Sequence, residues 1–266
     1  MTALLRSDVH RILHARWLWA MLAIVVLLTF APALLMRWTT MGPIVFDSLT
    51  SSALSLGGIE IPVALMAALA TCARADLGFD RTVLSALGRR GHALWFAEKC
   101  VLAVLIAGVS VLVVFVLGLV ALAVSGVPVL SVEPAWQVAL WLGCTWLGCS
   151  VYAVLTVAVG HLTRNEAVTL GFAVLASMGV LEGGMLLVGD IAVAATSGEF
   201  LVLSQTLDPW MPATILAGVG GGAATMLSAE NAVGLAPAVR AAIVFLPLLA
   251  ATFAVDVLAI SRRDMA

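Results

Sequence analysis

Three carboxylates stand inside apolar runs of the chain: Glu60, Glu182 and Asp256. An acid at membrane depth costs about 2.5–3.5 kcal/mol on insertion scales, so it must face protein or water. Two readings of Glu60 and Glu182 stay open. Either they line a substrate path that attracts a cationic peptide or drug, or each accepts an interhelical hydrogen bond. Gly57-Gly58 before Glu60 and Gly183-Gly184 after Glu182 permit close backbone approach or a local break. Asp256 stands near Arg262 and reads as half of a local ion pair.

Other reactive types give less. His10 and His14 have the i,i+4 spacing that a metal could use, but no further ligand cluster is near, and exposed histidines on a surface helix are the alternative. The cysteines Cys72, Cys100, Cys144 and Cys149 lie in or at the ends of apolar runs and read as small buried hydrophobes. The chain has no Gly-x-Ser-x-Gly elbow, no His-Glu-x-x-His and no paired-glutamate protease motif. Its one lysine, Lys99, follows Trp95-Phe96-Ala97-Glu98, with no glycine-rich loop before it. A Walker A loop needs glycine amides beside its lysine to wrap the phosphates. The chain is therefore expected to hold no cofactor and no metal, and ATP-driven work would fall to a partner.

The elements that position these residues follow from composition. Of 266 residues, 63% are hydrophobic and 11% charged, with a mean hydropathy of +1.15. Soluble domains are about 45–50% apolar and about 25% charged, so a soluble globular chain is excluded. The formal net charge of −2 excludes a general polycation for nucleic acid. Continuous apolar runs, rather than alternating ones, exclude a β-barrel. What remains is an all-α polytopic membrane protein.

Six runs approach the roughly 20 residues that a crossing helix needs: Trp17–Met36, Ala53–Ala73, Val101–Val124, Trp136–Gly160, Ala167–Val188 and Ala241–Ile260. Each is predicted to be helical, because lipid offers no partner to free backbone groups. The first run is too long for a signal-peptide core, so it is expected to stay as a span. Basic residues divide unevenly. Arg6, Arg11 and Arg16 precede span one; Arg74, Arg81, Arg89, Arg90 and Lys99 lie between spans two and three; Arg164 follows span four, and Arg262 and Arg263 follow span six. Arg37 and Arg240 alone fall on the other side. The richer side is expected to be cytoplasmic, so both termini are expected in the cytoplasm, with the spans crossing the cytoplasmic (inner) membrane.

A single transmembrane domain over 1–266 results: an interfacial helix at 1–16, spans one to five at 17–188, an outer segment at 189–240, span six at 241–260 and a cytoplasmic tail at 261–266. In the N-terminal helix Leu5, Val9, Ile12 and Leu13 recur at helical spacing, with Arg6, Arg11 and His14 on other faces. In the loop from Arg74 to Lys99, Phe79, Val83, Leu84 and Leu87 share a helical face. Asp76 reads as its N-cap, Asp80 stands in its first turn, and Gly88 with Arg89 and Arg90 closes it, with Gly91 turning toward span three. That helix either docks in a groove of another protein or lies on the lipid surface. The outer stretch Pro209–Gly222 is apolar but broken by Pro and Gly, as in a re-entrant or surface-lying pair. A crossing at Asp208–Ala229 would make seven spans, but would put Arg262 and Arg263 outside. Asp47, Glu133, Asp190, Glu199, Asp208 and Glu230 make the outer side acidic, either a vestibule for cations or ordinary solvated loops.

This organisation resembles the ABC-2 type transporter permeases. Residues 74–90, running on to Lys99, are similar to the family stretch in which an acidic-glycine turn precedes a coupling helix and a basic residue at the foot of span three. Gly160–Ala167 is similar to the tight inner turn between spans four and five. Subunits of this length without a large extra domain are nearest the lantibiotic-immunity and drug-export branch. The resemblance implies a permease that is not itself an enzyme. It would pair with a second permease subunit, identical or homologous, and engage ATP-binding cassette ATPases that hold ATP and Mg. Asp76, Phe79, Asp80, Val83, Leu84, Leu87, Arg89, Arg90 and Arg164 would form the ATPase-coupling surface. A membrane scaffold or sensor, or an intramembrane enzyme, is the alternative.

Overall fold

The computed structural model describes residues 2–38, 46–50, 59–72, 89–126, 128–197, 202–229 and 233–263. The chain is mostly helical, and several of its helices are long and apolar enough to span a membrane. Helix α1 (Thr2–His14) is followed by α2 (Arg16–Trp38), α3 (Glu60–Cys72), α4 (Arg89–Ser125), α5 (Ala135–Thr163), α6 (Glu166–Ser177) and α7 (Val180–Ser197). The short helices α8 (Val202–Leu207), α9 (Pro212–Gly220) and α10 (Ala223–Leu227) lead to α11 (Pro237–Arg263). Among the described residues, α4, α5 and α11 each hold a stretch that passes as a membrane span, and the pairs α1–α2 and α6–α7 pass only as bent units.

The core is built on α3 and α5. Small residues on α3 let its neighbours approach: Val63, Ala64, Ala67 and Ala68 are fully buried. Buried hydroxyls on α5 bond back to carbonyls one turn earlier, Thr145 to Trp141 O at 2.9 Å and Thr156 to Tyr152 O at 2.8 Å, so they sit in an apolar interior at little cost. Gly148 admits its neighbours closely: a Cβ there would stand 2.7 Å from Leu216 Cδ1 and 3.1 Å from Phe245 Cε2. Trp141 and Trp146 donate their indole N–H groups to Val219 O and Val104 O, tying α5 to α9 and α4. Cys100, Cys144 and Cys149 are buried and in no disulfide, as small hydrophobes would be.

The expected α1–α2 organisation is present, with a bend of 64° at Ala15. Only part of the apolar α1 face enters the bundle. Ile12 packs with Ala70 and Leu102, whereas Val9 and Leu13 are exposed. Span four agrees with α5, and its turn into α6 is tight. Arg164 takes the left-handed conformation (φ 52°) and Asn165 caps α6 by accepting from Ala167 N–H at 3.0 Å.

Three expectations are corrected. Span five is not one helix: α6 and α7 meet at 72° across Met178-Gly179. The break falls at Gly179 (φ +70°), not at Gly183-Gly184, and glycine is needed there because the backbone is left-handed and a Cβ would stand 2.9 Å from Ala213 Cβ. Gly91 makes no turn; α4 runs straight through it from Arg89. A feature with no sequence signal is the parallel pairing of β1 (Phe46–Ser48) with β2 (Val129–Ser131), in register Phe46 to Val129.

Candidate functional site

The helix break creates a cleft of about 820 Å³. Four elements wall it: the start of α3, the middle of α5, the Ser177–Gly179 corner, and α9. Glu60 comes from the first turn of α3 and Tyr152 from α5, and both line the cleft. Tyr152 Oη donates to Glu182 Oε1 at 3.0 Å, and Glu182 Oε2 accepts Ala213 N–H at 2.9 Å. Ala213 lies in the first turn of α9, where helix amides have no intrahelical acceptor. Glu182 therefore caps α9 beside the bend while holding the phenol of α5. Of the two readings of Glu182, the interhelical hydrogen bond is the arrangement found, while Glu60 lines the cleft that Tyr152 also lines. The chain's one tyrosine, set in an apolar run, was the signal for this residue, and sequence reasoning passed over it.

Of the acids expected on the outer side, those with described side chains accept hydrogen bonds from nearby groups. Asp190 accepts Leu203 N–H at 2.8 Å and the N–H and hydroxyl of Ser204, capping α8. Asp208 accepts Thr214 Oγ1–H at 3.2 Å. Glu133 accepts the amides of Leu49 at 3.1 Å and Thr50 at 3.2 Å, and the Thr50 hydroxyl. Thr50 Oγ1 in turn accepts Ala223 N–H at 2.8 Å, the first amide of α10. Partial burial pushes the Glu133 carboxyl up, but the hydroxyls of Thr50 and Ser48 and the backbone amides outweigh it, so its pKa lies below the ordinary value. Arg240, buried at the start of α11, donates to Pro209 O at 2.7 Å. Asp47, Glu199 and Glu230 lie outside the described side chains.

No protein-family model and no curated protein matches this chain.

At the opposite end of the bundle, Lys99 Nζ lies 2.6 Å from Asp8 Oδ2, and Arg11 lies 3.0 Å from Asp8 Oδ1. The ammonium also stands 5.6 Å from the Trp95 ring centroid. His161, near the end of α5, packs at 5.2 Å from Trp95 and 5.5 Å from Phe96. Asp8 was not singled out by sequence. The coupling residues Asp76, Phe79, Asp80, Val83, Leu84 and Leu87 lie outside the described residues. Arg89 and Arg90 open α4, with side chains outside the description, and Arg164 is exposed at the α5–α6 turn. The rings of His10 and His14 stack at 4.3 Å. Among the described residues no group of three or more His, Cys, Asp or Glu side chains could hold a metal ion.

Proposed function

We propose that this chain is the permease subunit of an ATP-driven ABC exporter in the cytoplasmic membrane. It would have six crossings, both termini cytoplasmic, and ATP hydrolysed by a separate subunit. Its substrate is a peptide antibiotic, drug or other amphipathic molecule, moved through a pair of such subunits, identical or homologous.

The observation that carries the reading is the tie between α1 and α4. Asp8 and Lys99 join the N-terminal helix to the foot of the helix that continues the expected coupling segment, residues 76–90. A push on that segment by a partner would move α4 and α1 together, because a buried ion pair resists separation. The positive charge collected at this end, Arg6, Arg11, Arg16, Lys99 and Arg164, favours a cytoplasmic placement. The absence of a nucleotide loop in the sequence favours a borrowed motor.

The test is purification of the full chain from its native membrane in mild detergent, with mass spectrometry of its companions. An ATP-binding cassette subunit in stoichiometric amount is expected, released by Val83→Asp with Leu87→Asp while the permease stays monodisperse. Association that ignores these changes would overturn the coupling assignment. Nucleotide-independent cargo movement by the chain alone in liposomes would overturn the exporter reading.

A further inference from the structure

The cleft at the α6–α7 break also carries information about what it holds. Its volume of about 820 Å³ falls within the roughly 300–1,000 Å³ of pockets that enclose drug-sized ligands. Among the described residues that line it, none is Lys, Arg or His. Glu60 stands in the wall itself. Two further carboxylates stand one hydrogen bond behind it: Glu182 behind Tyr152, and Asp208 behind Thr214. Arg240 is held on the Pro209 carbonyl and is not among the lining residues. The rest of the wall is largely apolar, with Ile61, Met178, Leu216 and Ala217. Gly220 leaves room in it: no heavy atom lies within 4 Å of where its Cβ would stand.

From this geometry we infer that the cleft binds one small amphipathic monocation, its onium or ammonium group against Glu60 and its apolar body against Met178 and Leu216. The inference rests on the exporter reading for its purpose and narrows that reading from peptides to drug-sized cations. One carboxylate stands in the wall and two stand behind it, and a low-dielectric wall strengthens their attraction for a cation as it raises the cost of an anion. Methionine suits such a site because its flexible thioether adapts to different apolar shapes.

The test uses the full chain in lipid nanodiscs without ATP or any ATPase, with tetraphenylphosphonium as probe. Tetraphenylborate, of the same shape and opposite charge, is the control. Saturable binding of one phosphonium per chain is expected, with no saturable borate binding. Glu60→Gln removes the charge and keeps the space, and should weaken phosphonium binding by roughly tenfold or more. Gly220→Leu keeps the charge and fills the space, and should abolish it. Thermal unfolding of each variant checks that the fold is retained. Equal saturable binding of both ions by the unaltered chain, which needs no variant, would overturn the inference. So would phosphonium binding indifferent to both substitutions. Because no ATPase is present, loss of this inference leaves the companion experiment standing, and loss of the companion subunit leaves phosphonium binding as measured.

Discussion

Lys99 Nζ lies 2.6 Å from Asp8 Oδ2, joining two helices across 91 residues of sequence. Both side chains are largely withdrawn from solvent, Lys99 3% and Asp8 12% exposed. Asp8→Asn takes the carboxylate from Lys99 and Arg11 together, whereas Lys99→Met removes one of the two contacts. Asp8→Asn should therefore lower thermal stability more than Lys99→Met. Removing one member of a buried pair costs about 3–5 kcal/mol. The double variant should recover part of the loss, with a coupling of roughly 0.5–3 kcal/mol. A double-mutant cycle by thermal unfolding in detergent checks this; strict additivity would mean that the pair does not tie α1 to α4.

Glu182 satisfies two donors at once, and its variants separate them. Glu182→Gln keeps its amide oxygen for Ala213 N–H and turns its NH2 toward Tyr152 Oη, which can accept it, so its effect should be small. Glu182→Ala leaves both donors without their acceptor, at about 1–3 kcal/mol for each buried group. Tyr152→Phe should fall between. Denaturation midpoints of the three variants give the order, and a Glu182→Ala protein as stable as Glu182→Gln would refute it.

Gly179 is required both by its backbone conformation and by its neighbour Ala213. Gly179→Ala should destabilise the bend by about 1–3 kcal/mol, the range for a strained residue held by its surroundings. Gly183→Ala and Gly184→Ala meet open space and lie within α7, so each should be neutral or stabilising by about 0.4–1 kcal/mol. Thermal shifts for the three single variants decide whether the break belongs to Gly179.

Glu133 makes its clasp on Leu49, Thr50 and, through Thr50, Ala223 sensitive to acid. Its folded pKa lies below its unfolded value, so its contribution is complete above the ordinary carboxylate range and is lost as pH falls through the folded pKa. Amide exchange at Leu49, Thr50 and Ala223 should accelerate on acidification below that range, after correction for intrinsic rates. Glu133→Gln should remove the pH dependence, which hydrogen-exchange mass spectrometry of the full chain measures directly.

The sequence by itself determined the features that depend on near neighbours. Long apolar runs become helices because lipid leaves backbone groups no other partner, and α2, α4, α5 and α11 lie where those runs lie. The turn between α5 and α6 falls in the gap between the fourth and fifth apolar runs, whereas its cap, Asn165 on the amides two and three residues ahead, was not singled out from the sequence. The tertiary structure alone decided where span five breaks, because the clash that makes Gly179 necessary comes from Ala213 on another helix. It alone joined Glu182 to Tyr152 across 30 residues, Asp8 to Lys99 across 91 and Thr50 to Ala223 across 173. Such pairs have no period along the chain. They form where packing brings a donor without a local partner to the nearest acceptor, and that meeting is a property of the folded chain.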